Sequence, residues 1–159
     1  MDVGFTGSRQ GMTDAQIIEV TNLLNNFLFS EPCSFHHGLC IGSDQQAADI
    51  AHHLGYKIIA HPGYLSTNPS WRGSRSNFDK NHQIMPEKPF LIRDHDIVDV
   101  SDVLIATPAQ KNKVIRSGTW ATIRYGIKTK NIVVIIYPDG EDNLCKKLKP
   151  KIMNFWLDC

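Results

Sequence analysis

The sequence of 159 residues lacks the features that mark several specialised classes of protein. Its four cysteines form no Cys-x-x-Cys pair, which argues against a disulfide framework and favours reduced thiols in the cytoplasm. No apolar run is long enough to span a membrane, and the amino terminus shows no recognisable signal peptide. The formal net charge of +1 argues against the broad basic surface of nucleic-acid-binding proteins. A single globular domain over residues 1–159 is therefore expected.

Several catalytic and metal-binding motifs are also missing. The first loop has no Gly-Lys-Ser/Thr of a P-loop, and no Ser-His-Asp or Cys-His arrangement predicts nucleophilic hydrolysis. A cysteine and histidine cluster falls in a predicted strand, where alternate side chains face opposite ways and cannot all converge on zinc. Its members are Cys33, His36, His37 and Cys40. We therefore predict no metal and no resident cofactor.

Apolar runs alternate with helical patterns along the chain. Strands are predicted at residues 3–6, 34–41, 56–60, 103–106 and 132–137. Helices are predicted after Thr13, from Gly42 to Gly55, at residues 90–100 and from Gly118 onward. Strands this apolar are buried on both faces, which predicts a Rossmann-like three-layer α/β sandwich with a mainly parallel five-stranded sheet. We place the core at about residues 3–137 and a carboxy-terminal tail at residues 141–159.

The most informative stretch is the junction between the strand at residues 103–106 and the helix that follows it. Ser117, Gly118 and Thr119 open this helix. Small residues with hydroxyl groups at a helix start leave backbone N–H groups free, and such a place binds anions, above all phosphate. Arg116 adds a planar cation that suits phosphate or carboxylate.

A second junction of the same kind follows the first strand. Gly7 allows a ligand to approach the backbone closely, and Ser8 and Arg9 offer hydrogen-bond donors. Thr13 and Gln16 then have the spacing of a capping box, which predicts the start of the first helix. Two polar loops, each with an arginine, therefore connect a strand to a helix.

Loops that follow parallel strands lie at the carboxyl edge of the sheet, where such folds bind ligands. The cations in these loops predict an anionic ligand, most simply a nucleotide-type molecule that carries phosphate. The candidate binding residues are Gly7, Ser8, Arg9, Gly42, Ser43, Asp44, Arg72, Arg75, Arg116, Ser117, Gly118 and Thr119. Lys111 and Lys113 are expected on the same edge, whereas the charged residues 93–96 favour an exposed helix face or a local ion pair.

Three segments, in this order, resemble motifs of the SLOG superfamily. They are residues 7–9 (Gly-Ser-Arg), 38–44 (Gly-Leu-Cys-Ile-Gly-Ser-Asp) and 117–125 (Ser-Gly-Thr-Trp-Ala-Thr-Ile-Arg-Tyr). The superfamily includes the DNA-processing protein DprA and the lonely-guy (LOG) phosphoribohydrolases, and the second and third segments are most similar to the DprA-like branch. The resemblance spans about residues 3–137. It implies a nucleotide-type ligand over the strand ends, held by residues 7–9, 42–44 and 117–119.

The chain departs from the Pro-Gly-Gly-x-Gly-Thr-x-x-Glu motif of the LOG phosphoribohydrolases. When Gly118 and Thr119 take the Gly-Thr positions of the motif, Thr122 stands where those enzymes have their catalytic glutamate. A threonine cannot act as a general base near neutral pH, so catalysis would need another carboxylate. The candidates are Asp44, Asp94 and Asp96. The primary prediction is therefore a sensor or sequestering protein that binds a nucleotide or a nucleotide-derived signal.

Two alternative functions are kept beside this one. The first is a hydrolase that cleaves the N-glycosidic bond of nucleoside 5′-monophosphates. The second is DprA-like binding of single-stranded DNA, which the near-neutral charge disfavours. Phe155, Trp156 and Leu157 beside a basic tail predict either a homo-oligomer contact or closure over the chain's own core. No membrane partner is predicted.

Overall fold

The computed structural model describes residues 1–28, 33–64, 69–74 and 82–145 of the chain. Within these ranges the backbone forms one seven-stranded sheet with four α-helices. The strands are β1 (Asp2–Gly7), β2 (Ser34–His37), β3 (Lys57–Ala60), β4 (Gln83–Ile84), β5 (Val103–Thr107), β6 (Ile132–Ile136) and β7 (Asp142–Cys145). The helices are α1 (Asp14–Phe27), α2 (Ser43–His53), α3 (Phe90–Val100) and α4 (Gly118–Lys128), and Pro69–Trp71 forms a 3₁₀ turn.

The strand order across the sheet is β4-β3-β2-β1-β5-β6-β7. Every neighbouring pair is parallel except β6 and β7, which are antiparallel. The chain moves outward from β1 in one direction and from β5 in the other, so the topological switch point lies between these two strands. The predicted Rossmann-like α/β class is confirmed.

Two apolar cores lie on opposite faces of the sheet. Ile105 of β5 enters the first core together with Phe5 of β1 and Leu24 of α1, while α2 covers the same face. Leu104, the preceding residue of β5, enters the second core with Ile123 of α4, and α3 covers that face. Both faces of the central strands are therefore buried, which explains why their sequences show apolar runs rather than alternation.

The sheet differs from the sequence prediction in two respects. Five strands were predicted, whereas the described residues also form β4, a two-residue edge strand, and β7, which returns antiparallel beside β6. The strand predicted at residues 34–41 ends at His37. Leu39 has a positive φ of 51°, which breaks the extended backbone, and Cys40 instead forms an isolated bridge with Arg72.

Several predicted features fall outside the described ranges. Arg75, a candidate binding residue, lies there, as do Phe155, Trp156 and Leu157, which were predicted to form an oligomer contact or to cover the core. Across the described part of the chain, no helix is both long and apolar enough to cross a membrane.

At the switch point, the first loop and the start of α4 lie next to each other. The backbone N–H of Ser8 donates to the carbonyl of Thr107 at the end of β5, at 3.2 Å. The Thr119 hydroxyl of α4 donates to the carbonyl of Gly7 at the end of β1, at 3.0 Å. These two hydrogen bonds connect the segments that the sequence indicated as anion-binding junctions.

Candidate functional site

A cavity of about 490 Å³ lies at the carboxyl edge of the sheet, over the switch point between β1 and β5. Its walls come from the loops after β1, β2 and β5, from the 3₁₀ turn and from the starts of α3 and α4. Among the predicted site residues that line it are Gly7, Ser8, Arg9, Asp44, Asp94, Arg116, Ser117, Gly118 and Thr119. Segments more than 100 residues apart in sequence therefore meet at one cavity.

The start of α4 forms one wall of the cavity. Ser117 is the N-cap residue, and its hydroxyl accepts a hydrogen bond from the backbone N–H of Trp120 at 3.4 Å. A Cβ atom on Gly118 would meet no heavy atom within 4 Å, so the helix faces open space at its first residue. The positive end of the helix dipole and the free first-turn N–H groups make this wall favourable for an anion.

The first loop forms a neighbouring wall of the cavity, and the start of α2 supports it. Gly42 has a φ of +80°, and a Cβ atom there would lie 2.3 Å from the carbonyl oxygen of Arg9. The backbone N–H of Ser43 donates to the carbonyl of Ser8 at 3.0 Å, and Ser43 is fully buried. Gly42 and Ser43 therefore lie behind the cavity wall and hold the loop, rather than lining the cavity.

An aromatic side closes the cavity next to this loop. The guanidinium group of Arg9 lies over the ring of Trp71, 3.7 Å from its centroid. Trp71 in turn contacts Phe90 of α3 edge-on, with ring centroids 6.2 Å apart. A cation stacked on an aromatic ring is held in place without a carboxylate partner, so its charge stays available to an anion.

Other predicted cations lie away from the cavity. Arg72 forms an ion pair with Glu87 and donates to the Gly63 carbonyl at 3.2 Å, which uses its guanidinium group structurally. Lys111 forms ion pairs with Asp139 and Glu141. Arg72 and both of the predicted lysines, Lys111 and Lys113, are absent from the cavity lining.

Asp44 forms part of the cavity floor and is only 6% exposed. Its Oδ2 atom accepts hydrogen bonds from the backbone N–H groups of Gly38, at 2.9 Å, and Cys40, at 3.3 Å. Burial raises the pKa of this carboxyl group to about 6, although the nearby Arg93 guanidinium opposes the shift. Asp44 is not the cap of α2, whose N-cap residue is Gly42; its carboxylate instead holds the loop after β2 and lines the cavity.

Arg93 is the floor residue that the sequence did not indicate as part of a site. It is 6% exposed and lies against Gly38, where a Cβ atom would be 1.4 Å from its Nη1 atom. Its Nη1 donates to the His61 carbonyl at 3.3 Å, and its Nη2 donates to the Cys40 thiol at 3.7 Å. The sequence feature that could have indicated Arg93 is Gly38, because a glycine at the end of a buried strand leaves room for a large side chain from another element.

Asp94 lies beside Arg93 and also lines the cavity. Its Oδ1 is 3.0 Å from the Arg93 Nε, an ion pair whose angle does not form a hydrogen bond. Burial raises the pKa of Asp94, while the Arg93 guanidinium and the nearby Thr122 side chain oppose that shift. Asp96 lies elsewhere, in an ion pair with Lys88 at 2.5 Å. The local ion pair considered for residues 93–96 is therefore present, but it forms a buried wall.

Buried histidines support the floor from behind. His36 Nδ1 lies 2.9 Å from His61 Nε2, and His36 Nε2 lies 3.3 Å from Asp2. Burial lowers the pKa of His61 to about 4 and lowers that of His36 as well, so both rings are neutral at pH 7. The described ranges contain no group of three or more His, Cys, Asp or Glu side chains arranged to hold a metal ion.

Comparison with solved structures identifies proteins of the same architecture. The molybdenum cofactor binding protein from Rippkaea orientalis is 19% identical, with a TM-score of 0.61 over 86% of this chain and 76% of that one. The molybdenum cofactor carrier protein from Chlamydomonas reinhardtii is 17% identical, with a TM-score of 0.57 over 99% and 82% of the two chains. DNA processing protein A from Helicobacter pylori is 18% identical, with a TM-score of 0.59 over 85% and 64%.

No protein-family model matches the sequence, and no curated protein is significantly similar to it. The likeness is therefore one of fold, shared with a DNA processing protein of the branch that the second and third motifs resemble. It agrees with the Rossmann-like fold that the resemblance to the SLOG superfamily implied.

Proposed function

We propose that the cavity binds a small phosphate-bearing molecule of the nucleotide type and that the protein acts as a sensor or sequestering protein for it. One observation carries this proposal: Arg9, Arg116 and the open start of α4 at Gly118 share one cavity. Neither arginine has a carboxylate partner among the described residues, in contrast to Arg72. Unpaired cations next to a helix amino terminus favour a ligand with a concentrated negative charge.

The dimensions and lining of the cavity favour a ligand with a planar part as well. A volume of about 490 Å³ falls within the usual range for small-molecule sites. Trp71 and Phe90 supply an aromatic wall for a heterocyclic ring. The structural neighbours are described as binding or carrying the molybdenum cofactor or as binding single-stranded DNA. Because these ligands differ, the ligand class proposed here is argued from the residues that line the cavity.

Isothermal titration calorimetry of the full chain tests this proposal against nucleoside 5′-monophosphates, ADP-ribose species and cyclic dinucleotides. We expect at least one of them to bind, with an affinity that falls as salt is added. Arg116→Gln removes one charged contact and is expected to weaken binding about 10-fold to 100-fold. Lys128→Gln, at an exposed position in the last turn of α4, is the matched control and should bind normally. Absence of heat with every compound at high protein concentration would refute the proposal.

A second candidate function is supported by the position of Asp94. Its carboxylate lines the cavity and interacts with Thr122, the position that the SLOG resemblance equates with the catalytic glutamate of the LOG phosphoribohydrolases. A carboxylate here has the chemistry to stabilise an oxocarbenium-like centre and to activate water. Water would add to the anomeric carbon while the N-glycosidic bond breaks, giving a free base and ribose 5-phosphate.

Chromatographic detection of the released base separates the two candidates. If the protein is a hydrolase, nucleoside 5′-monophosphates should yield free base, and Asp94→Asn should abolish the release. Asp96→Asn is the matched control, because Asp96 lies outside the cavity lining. Intact nucleotide after long incubation with a binding-competent protein would exclude the hydrolase and leave the binding function.

A further inference from the structure

Asp44 has one carboxylate oxygen that the fold does not use. Oδ2 accepts both backbone hydrogen bonds, from Gly38 and Cys40. Within the described residues Oδ1 accepts none, and the residue lines the cavity although it is only 6% exposed. This oxygen is therefore able to accept a hydrogen bond from a molecule that occupies the cavity.

A donor stands next to this acceptor. Among the described residues, Arg93 Nη2 has only the Cys40 thiol, at 3.7 Å, as its partner, and sulfur is a weak acceptor. The two charged groups are neighbours, since a Cβ atom on Gly38 would lie 1.4 Å from Arg93 Nη1 and 2.8 Å from Asp44 Oδ2. The cavity therefore presents an acceptor and a donor side by side, in addition to Arg9, Arg116 and the start of α4.

We propose that Asp44 is the specificity-determining residue of the cavity and accepts a hydrogen bond from an N–H group on the edge of a heterocyclic ring. This inference rests on the proposed nucleotide-type binding and names its ligand class more closely. The ligand is two-ended: a phosphate lies at the rim, near Arg116 and the start of α4, and an amino-bearing ring reaches the floor. An adjacent ring acceptor would meet Arg93. Rings with this pattern include the aminopurines and aminopyrimidines.

Matched ligand pairs that differ by one amino group test the inference in the full chain. The pairs are AMP and purine riboside 5′-monophosphate, GMP and inosine 5′-monophosphate, and CMP and its 4-deamino analogue. We expect the amino member of at least one pair to bind about 10-fold to 100-fold more tightly, as measured by calorimetry. A site built to accept from an N–H group discriminates strongly against the analogue that lacks it.

Asp44→Asn provides the second arm of the experiment. The asparagine carbonyl oxygen can accept the two backbone hydrogen bonds, which turns its NH₂ group toward the cavity and replaces an acceptor by a donor. The preference for the amino member should then disappear or reverse. Asp44→Ser is a second variant for which the same loss of preference is expected. Asp96→Asn, outside the cavity lining, should keep the wild-type preference.

The outcomes distinguish this inference from the proposed function. If no member of any pair binds, and the wider nucleotide panel also fails, both fail together. If members bind but no pair shows discrimination, the role of Asp44 is refuted and the binding function stands. Discrimination that persists in folded Asp44→Asn protein also overturns it, because another group would then recognise the amino edge.

Discussion

Replacement of Asp44 by asparagine is expected to stabilise the protein at neutral pH, even though it damages the site. The carboxylate is almost completely buried, and burial raises its pKa from the ordinary 3.8 to about 6. A folded state that raises the pKa of an acid binds more protons than the unfolded state between these two values. The contribution of Asp44 to stability is therefore fully present below pH 3.8 and is lost as the pH rises through about 6.

The pKa difference sets the size of the effect. A shift of about two units corresponds to about 3 kcal/mol of unfolding free energy between the protonated and ionised forms. Asparagine resembles the protonated acid, since its carbonyl oxygen can accept from Gly38 and Cys40. Asp44→Asn should therefore match the wild type near pH 4 and be more stable at pH 8, by up to about 3 kcal/mol.

Urea unfolding of both proteins at several values between pH 4 and pH 8 measures this difference. Other ionisable groups lie near position 44: burial lowers the pKa of His61 to about 4 and raises the pKa of Asp94, which lies beside Arg93. These groups are present in both proteins, so the difference between the two curves isolates position 44. The reasoning is refuted if Asp44→Asn is less stable than the wild type at pH 8, or if the difference does not vary with pH.

Three further predictions follow from the floor of the cavity. Gly38→Ala places a methyl group on the Arg93 guanidinium and should lower the free energy of urea unfolding by about 1–3 kcal/mol, whereas Gly118→Ala faces open space and should leave stability nearly unchanged. Burial raises the pKa of the Cys40 thiol, so iodoacetamide should label it slowly at pH 7.5, as followed by peptide mass spectrometry, and much faster labelling there would contradict the structure. Burial lowers the pKa of His61 to about 4, so the stability that its neutral ring contributes is present above pH 6.5 and lost toward pH 4. His61→Gln should flatten this acid dependence, and an unchanged slope would exclude the residue as a cause.

The local sequence predicted most elements because their signals are local. The Thr13–Gln16 capping box is present with both of its hydrogen bonds, and the helix predicted at residues 90–100 matches α3. The five predicted strands all form, although the second ends early at His37. β4 and β7 were missed, because short edge strands have no buried run to mark them.

The site was only partly predictable. The rim residues Arg9 and Arg116 were indicated by strand–loop–helix junctions, which must lie at the carboxyl edge of a parallel sheet. Arg72 was predicted as a binding residue in the same way, as an arginine in a loop, but its guanidinium group forms an ion pair with Glu87. Which arginines stay unpaired depends on partners distant in sequence, and the pattern of a single segment carries no information about them.

Local sequence was enough to predict the α/β alternation, the apolar strands and the two strand–loop–helix junctions, because hydrophobic periodicity and capping depend on residues a few positions apart. Only the tertiary structure decided the floor of the cavity. Gly38, in the loop after β2, and Arg93, on α3, meet at the carboxyl edge of the sheet, where Asp44 uses only its Oδ2 oxygen for hydrogen bonds to the described residues. The partners of a charged or polar group in a buried site are often distant in sequence. A local sequence pattern therefore does not predict them.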